Sequence, residues 1–228
     1  MRKYKGIIFD FNGVLLWDRH LHEQAWRQFS MVIRGAPFSE EEMALHVHGR
    51  SNRDILTYLA WHSLPDTEIE RLAHQKEAIY QQLCMAEGEN FRLSPGAVEL
   101  LEFLVAHDVP HTIATASGKE NVDFYVEHLN LGRWFQLEQI VYDNGSQPGK
   151  PAPGMYLQAA PRLGLRPADC IVVEDSLSGI RAAQAAGIGY IIALGPDLTR
   201  GKLARLEGVN EVLENLQQFS RHLFSLAK

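Results

Sequence analysis

The stretch FDFNGVLL, residues 9–16, joins a short apolar run to a polar turn. The run Gly6–Asp10 does not alternate polar and apolar residues, which is typical of a strand buried on both faces of a parallel sheet. Asn12 and Gly13 follow Asp10 in the turn. Ligands of open parallel sheets bind at the carboxyl ends of the strands, so this stretch predicts a strand that leads directly into a binding site.

Further apolar runs of the same kind follow along the chain: His111–Thr115, Cys170–Glu174 and Gly189–Ala193. Helical patterns separate the runs, at residues 96–107, 119–129, 155–163 and 178–186. Strands that alternate with helices indicate crossover connections and a layered fold. The sequence therefore predicts an α/β protein with a Rossmann-like parallel sheet.

The stretch between the first two runs has a different pattern. Residues 17–90 contain no convincing strand and are rich in helix-forming residues. We predict an all-helical cap domain, residues 17–90, inserted into an α/β core domain, residues 1–16 and 91–228. The large aromatic side chains of Trp17, Trp26 and Trp61 are expected in the core of this insert.

The composition argues against several classes of protein. The 228 residues are 46% hydrophobic and 22% charged, with a net charge of -6 and no basic run, which disfavours a nucleic-acid-binding protein. No stretch is long and apolar enough to span a membrane, and the basic start is too short for a signal peptide. Cys84 and Cys170 are far apart and are expected to be buried thiols. We expect a cytoplasmic protein, and a monomer because no exposed apolar stripe is evident.

The predicted strands end in groups that suit a phosphate and a metal ion. The second run ends in Thr115 and the third in Glu174-Asp175, while Lys150 precedes a predicted helix. With Asp10, these residues supply a carboxylate nucleophile, a hydroxyl, a cation and a pair of acids. Phosphoryl transfer needs this combination, and Mg²⁺ prefers one or two carboxylates. Each of these residues alone is explained as well by a turn, a helix cap or a surface charge. Coincidence does not explain four such segments in order along the chain, each at a strand end or a helix start.

Four segments carry a resemblance to a known family: FDFNGVLL, TIATAS, GKPAPGMY and IVVEDSLSGIRAAQAAG. They resemble the four motifs of the haloacid dehalogenase superfamily. Residues 20–26, HLHEQAW, and 48–56, HGRSNRDIL, resemble the helical cap of its β-phosphoglucomutase-like branch. That branch consists mostly of Mg²⁺-dependent phosphatases, so the resemblance implies a small phosphorylated metabolite as the substrate.

The resemblance also implies a role for each matching residue. Asp10 would become an aspartyl-phosphate, Thr115 would bind the phosphoryl oxygens, and Lys150 would neutralise charge. The Mg²⁺ ligands would be Asp10, the backbone carbonyl of Asn12, Glu174 and Asp175. The resemblance would also place His22 near the substrate, with a structural role as the alternative. From the residues themselves, Arg50 is expected to bind a distal anionic group of the substrate, because arginine binds phosphate or carboxylate bidentately, and Ser117 and Lys119, just after Thr115, are expected to contact the same group. Arg53 is expected to pair with acids of its own helix.

Asn12 departs from the family pattern, in which this position is usually the Asp that protonates the leaving oxygen. Asparagine has nearly the same shape but cannot exchange a proton in that role. General acid–base catalysis contributes about 10²–10⁴-fold to the rate, so the hydrolysis of alkyl phosphates should be slowed most. Four alternatives remain open: a slow phosphatase, a preference for good leaving groups, a non-catalytic protein that binds a phosphometabolite, and an engineered replacement in an active phosphatase.

Three related activities are disfavoured. A mutase needs the missing acid and base, and dehalogenases lack the acid pair present at Glu174 and Asp175. Phosphonate-cleaving relatives use a cap lysine, and the insert's only lysine, Lys76, is far along the chain from the loop HGRSNRD. Hydrolysis of a phosphate ester is therefore the favoured activity.

Overall fold

The computed structural model describes residues 3–47, 50–195 and 203–224. The chain divides into two compact units: Met1–Trp17 with Arg92–Lys228, here called the α/β unit, and Asp18–Phe91, here called the helical unit. No helix among the described residues has the length and apolar character needed to cross a membrane.

The α/β unit is built on a sheet whose six described strands are all parallel and lie in the order β3-β2-β1-β4-β5-β6. The strands are β1 (Gly6–Phe9), β2 (His111–Gly118), β3 (Val141–Asp143), β4 (Cys170–Glu174), β5 (Tyr190–Leu194) and β6 (Glu211–Leu213). Strands β1 and β4 are buried along their whole length, which explains their unbroken apolar sequences. The predicted α/β class and Rossmann-like parallel sheet are confirmed.

Helices connect these strands. They are α5 (Ala97–Ala106), α6 (Lys119–His128), α7 (Gly154–Arg162) and α8 (Leu177–Ala185). Small side chains of α7 and α8, such as Ala159 and Ala183, pack with Ile8 and Val172 of the sheet in one buried cluster. Cys170 belongs to this cluster, and burial raises the pKa of its thiol to about 12. The chain order 3-2-1-4-5-6 reverses direction between β1 and β4, and that is where open α/β sheets bind their ligands.

The helical unit contains α1 (Arg19–Arg34), a short α2 (Glu40–Glu42) that continues as a π-helical segment (Met43–Val47), α3 (Asn52–Ala60) and α4 (Asp66–Ala86). Its core includes Trp26, Phe29 and Phe38. The prediction that all three tryptophans are buried is wrong. Trp61 ends α3 in the left-handed conformation and is 78% exposed, and Trp17, which belongs to the α/β unit, is 46% exposed.

Candidate active site

The carboxyl ends of two neighbouring strands bring together the acids that the sequence singled out. Asp10 follows β1, and its backbone N–H donates to the carbonyl of Val173 in β4 at 3.0 Å. Glu174 is the last residue of β4, and its side chain is completely buried. Because β1 and β4 are adjacent and parallel, both carboxylates lie at the same edge of the sheet.

Lys150 lies between these two carboxylates. Its Nζ is 2.7 Å from Asp10 Oδ1 and 2.5 Å from Glu174 Oε1, and its side chain is only 7% exposed. Burial by itself would lower the pKa of Lys150, but the two carboxylates outweigh burial and hold the pKa well above its ordinary value. Lys150 is therefore a fixed cation that serves two acids.

The two acids do not benefit equally from this single ammonium. Burial raises the pKa of Asp10 to about 7, since the opposing attraction of Lys150 is shared with Glu174, whose charge raises the pKa further. Burial acts on Glu174 in the same direction, but Lys150 and the hydrogen bonds to the Glu174 carboxylate hold its pKa below the ordinary value. The site thus holds more negative charge than Lys150 can neutralise.

A third acid, Asp175, adds to this excess. Asp10, Glu174 and Asp175 each offer one carboxylate oxygen, and these oxygens lie within 4.8 Å of one another. The turn after β1 approaches closely, because a Cβ atom on Gly13 would lie 2.2 Å from Asp175 Oδ2. Three converging hard oxygen donors with surplus negative charge fit a divalent cation such as Mg²⁺.

The Asn12 side chain is held from both ends. Its Oδ1 accepts hydrogen bonds from Ser117 Oγ at 2.7 Å and from Thr115 Oγ1 at 3.5 Å, and its Nδ2 donates to Tyr125 OH at 3.0 Å. The Tyr125 ring stacks on Phe11 with 4.4 Å between ring centroids. Asn12, Thr115 and Ser117 therefore form one network at the ends of β1 and β2.

Three further residues were predicted to contact a substrate. Lys119, at the exposed start of α6, pairs with Asp123 at 2.6 Å. His22 and Arg50 belong to the helical unit. Arg50 is exposed, whereas His22 stacks on Tyr80 with 3.8 Å between ring centroids. The substrate contacts of these three residues stay predictions.

The helical unit corrects the expectation that Lys76 is remote from the loop HGRSNRD. Lys76 Nζ is 3.1 Å from both carboxylate oxygens of Glu77, and Glu77 Oε1 accepts from Asn52 Nδ2, in that loop, at 2.8 Å. Lys76 and Asn52 reach the same carboxylate because α3 packs against α4. Lys76 Nζ also donates to His22 Nδ1 at 3.0 Å, and its side chain is 1% exposed. A buried, ion-paired ammonium is poorly suited to form an imine, so burial, rather than distance from the loop, disfavours this role.

Arg53, in the same loop, was expected to pair with acids of its own helix. Its partner is Asp66 at the start of α4, with Nη1 and Oδ1 2.8 Å apart. Pairing with an acid is confirmed, but the acid lies on the neighbouring helix.

Three residues of the site were missed by the sequence reasoning: Tyr125, Tyr156 and Ser176. Tyr156 OH donates to Glu174 Oε1 at 3.0 Å, and Ser176 donates to Glu174 Oε2 from its backbone N–H at 2.9 Å and from Oγ at 3.0 Å. Tyr156 closes the motif GKPAPGMY, and that position was the available signal. A lone tyrosine on a helix is otherwise typical of a packed core.

Comparison with known proteins identifies the family of this chain. A model of the haloacid dehalogenase-like hydrolase family matches residues 4–187. A probable pseudouridine-5'-phosphatase from Drosophila melanogaster is 30% identical, covering 99% of this chain and 96% of the relative, and hexitol phosphatase A from Escherichia coli is 32% identical, covering 95% and 93%.

A solved structure gives the same picture at the level of the fold. A family IA, variant 3 hydrolase from Entamoeba histolytica superposes with a TM-score of 0.89 at 32% identity, covering 96% of each chain. With the site at the ends of β1 and β4 and a family match over most of its length, this chain belongs to the haloacid dehalogenase-like hydrolase family.

Proposed function

We propose that this protein is a Mg²⁺-dependent phosphatase that hydrolyses a small, sugar-like phosphate monoester through an aspartyl-phosphate on Asp10. The observation that carries the proposal is Lys150 Nζ, which lies 2.7 Å from Asp10 Oδ1 and 2.5 Å from Glu174 Oε1 in a buried site with surplus negative charge. The names of the relatives support the substrate class, because pseudouridine 5'-phosphate and hexitol phosphates are small phosphate esters of sugar-like alcohols.

The Mg²⁺ ligands in this proposal are Asp10, Glu174 and Asp175, together with the backbone carbonyl of Asn12. The converging carboxylates provide the hard oxygen donors, and the surplus negative charge favours a divalent cation over a water molecule. When bound, Mg²⁺ supplies charge neutralisation at the phosphoryl oxygens.

Asp10 is the nucleophile, and its neighbours prepare it for attack. Burial raises the pKa of its carboxyl to about 7, so the attacking carboxylate depends on nearby positive charge. Lys150 supplies part of that charge at 2.7 Å and holds the carboxylate in place. Thr115 and Ser117, whose hydroxyls lie beside Asn12, would bind the phosphoryl oxygens and exchange their present hydrogen bonds for contacts to the substrate.

Asn12 sets the rate. Its amide can donate a hydrogen bond to the leaving oxygen but cannot give it a proton. An alkoxide that leaves without a proton is a poor leaving group. The kcat for hydrolysis of an alkyl phosphate should therefore be about 10²–10⁴-fold lower than with an aspartate at this position, which is the usual contribution of general acid–base catalysis. The kcat for an aryl phosphate, whose phenolate leaves without a proton, should be lowered much less.

The Asn12 position can accommodate aspartate without a packing penalty. Ser117 and Thr115 hydroxyls already donate to one side-chain oxygen, and the Tyr125 hydroxyl accepts from the nitrogen on the other side. A hydroxyl can donate as well as accept, so Tyr125 can turn its proton toward a carboxylate oxygen. Asn12→Asp therefore isolates the chemical effect of the missing acid from any effect on folding.

The test compares phosphate release from p-nitrophenyl phosphate and from alkyl phosphates such as glycerol and hexitol phosphates, for this chain and for Asn12→Asp. We expect Asn12→Asp to raise kcat on the alkyl esters by about 10²–10⁴-fold and to change kcat on the aryl ester far less. An equal gain on both classes would contradict the role given to Asn12.

The same observation supports a second candidate function, a protein that binds a phosphorylated metabolite without turnover. This candidate predicts phosphate release from neither ester class by either protein, with saturable binding of a sugar phosphate by calorimetry. Release of phosphate by the unmodified chain, abolished in Asp10→Ala, would exclude it.

A further inference from the structure

The carboxylate of Glu174 accepts from donors on both of its oxygens. Oε1 faces Lys150 Nζ at 2.5 Å and the Tyr156 hydroxyl at 3.0 Å. Oε2 accepts two hydrogen bonds from Ser176, through the backbone N–H and the hydroxyl. Donors on both oxygens fix the place and the rotation of the carboxylate.

The space around Glu174 is closed on a further side by helix α8. A Cβ atom built on Gly179 would lie 1.6 Å from Glu174 Oε1 and 2.4 Å from Oε2. Glycine is therefore required at this position, and the carboxylate cannot move toward α8. The remaining freedom of Glu174 is set by the two donors on Oε1.

Tyr156 contacts both partners of this arrangement. Its side chain is fully buried, its hydroxyl donates to Glu174, and its ring centroid is 5.4 Å from Lys150 Nζ. Tyr156 lies six residues after Lys150, on the first turns of α7, so one short segment delivers the ammonium and the phenol to the same oxygen. A phenylalanine in this place would keep the packing and the ring contact but would lose the donor.

The phenol of Tyr156 affects how Lys150 is placed, because Lys150 contacts two carboxylates at once. With Tyr156 in place, Glu174 Oε1 has a second donor, and Lys150 can stay within 2.7 Å of Asp10. Without the hydroxyl, Lys150 would be the one donor left among those described at Oε1. The carboxylate would then gain freedom to rotate, and the ammonium would be drawn toward Glu174 and away from Asp10.

We propose that Tyr156 is a positioning residue, whose hydroxyl fixes the Glu174 carboxylate as a metal ligand and allows Lys150 to serve Asp10 at the same time. The inference rests on the metal site of the proposed function. It adds to that site a residue, Tyr156, that contacts neither the metal nor the substrate. Groups that orient metal ligands change metal affinity or activity by about 10–100-fold when they are removed.

The experiment measures Mn²⁺ binding to the full chain in the absence of substrate, by electron paramagnetic resonance of free Mn²⁺, for the unmodified protein and Tyr156→Phe. The matched control is Tyr190→Phe. It removes a phenol on β5 that donates at 3.4 Å to Glu211 of β6, a carboxylate outside the site. Melting temperatures of the three proteins in EDTA report any loss of folding stability separately.

We expect the Mn²⁺ Kd to rise about 10-fold or more in Tyr156→Phe and to change less than about 2-fold in Tyr190→Phe. In turnover of p-nitrophenyl phosphate, the Mg²⁺ concentration for half activation should rise in parallel, whereas KM for the ester at saturating Mg²⁺ should change little. An unchanged Mn²⁺ Kd in Tyr156→Phe overturns the proposal, including the case in which only its melting temperature falls.

Failure of the proposed function gives a different result. If the unmodified chain binds Mn²⁺ and hydrolyses no ester, the binding comparison still decides the role of Tyr156, because it uses no turnover. If the unmodified chain binds no Mn²⁺, the metal site is overturned and the role of Tyr156 is overturned with it.

Discussion

The α/β unit and the helical unit each hold a lysine away from solvent, but the two lysines have different surroundings. Lys150 lies within 2.7 Å of two carboxylates, and Asp175 adds a third acid at the same strand ends. Lys76 pairs with Glu77, at 3.1 Å, and contacts the ring nitrogen Nδ1 of His22 at 3.0 Å. The first site sets three acids against one lysine, whereas Lys76 pairs with the single carboxylate of Glu77, and the buried acid nearby, Asp18, accepts from the Tyr80 hydroxyl and lies 3.3 Å from His22 Nε2.

This difference separates a site that needs a ligand from a pair that is complete within the protein. Buried charge is costly unless it is paired, so a surplus persists in a native protein only where something binds to it. The surplus at Asp10, Glu174 and Asp175 is what a divalent cation and a phosphoryl group can use. The Lys76–Glu77 pair, linked to Asn52, joins α3 to α4 within the helical unit.

Removing the nucleophile should have the largest effect. Asp10→Asn keeps the side-chain shape and relieves part of the surplus charge, so we expect the protein to fold at least as well as before. Turnover should fall by about 10⁴-fold or more, because the covalent step is lost. Phosphate release and the melting temperature in EDTA check both parts, and a variant that keeps substantial activity would contradict covalent catalysis.

The two lysines can be compared directly with matched variants. Lys150→Met and Lys76→Met each leave a buried carboxylate without its cation, and each should destabilise the protein by about 3–5 kcal/mol. Mg²⁺ should restore part of the stability of Lys150→Met, because the ion can neutralise the same acids. Thermal melts with and without Mg²⁺ measure this gain in stability. An equal gain in Lys76→Met would contradict the difference between the two lysine sites.

The sequence predicted the acids of the site better than their supports. Asp10 and Glu174 end long apolar runs, and neighbouring parallel strands bring such ends together wherever a buried sheet forms. Tyr125 and Tyr156 lie on helix faces, where an aromatic residue is explained as well by packing as by a hydrogen bond. Their role depends on which carboxylate or amide faces them, and the sequence does not contain that distance.

The fold shows the same limit. The strands with long apolar runs were predicted, but β3 and β6 have three residues each and lie at the two edges of the sheet, so their sequences have no clear run. Lys76 was placed far from Asn52 because chain separation was the available measure. Packing of α3 against α4 brings both residues to the Glu77 carboxylate, where they share Oε1.

A change at Gly179 tests whether the rigidity of Glu174 matters. Gly179→Ala places a methyl group where Glu174 Oε1 now lies, so the carboxylate must shift. We expect the Mg²⁺ concentration for half activation to rise by about 10–100-fold, as for a disturbed metal ligand. Gly132→Ala is the matched control, because its nearest neighbour would be 3.9 Å away. Unchanged Mg²⁺ activation in Gly179→Ala would show that Glu174 is not held as tightly as its contacts indicate.

The smallest effect concerns a carboxylate of the helical unit that is balanced by an arginine. Glu42 forms a two-point ion pair with Arg34, at 2.6 and 2.9 Å, and accepts further hydrogen bonds from the Ser39 backbone at 2.8 Å and the Tyr58 hydroxyl at 3.0 Å. The hydrogen bonds from Arg34, and then that from Ser39, hold the pKa of Glu42 well below its ordinary value. Glu42→Gln should therefore cost about 1 kcal/mol at neutral pH, the scale of a good charge-assisted pair near the surface.

The sign of the pH dependence follows from the direction of that shift. A carboxyl whose pKa is lowered by folding stabilises the protein above its unfolded pKa, and that stabilisation is lost as the pH falls toward the folded value. Glu42→Gln should thus melt below the unmodified protein at pH 7, and the gap should narrow below about pH 4.5. Glu68→Gln, which removes the exposed partner of Arg71, should show little gap at either pH. A gap that persists unchanged at pH 3 would mean that the shape of the Glu42 side chain matters rather than its charge, and that the helical unit does not depend on balanced ion pairs in the way its contacts indicate.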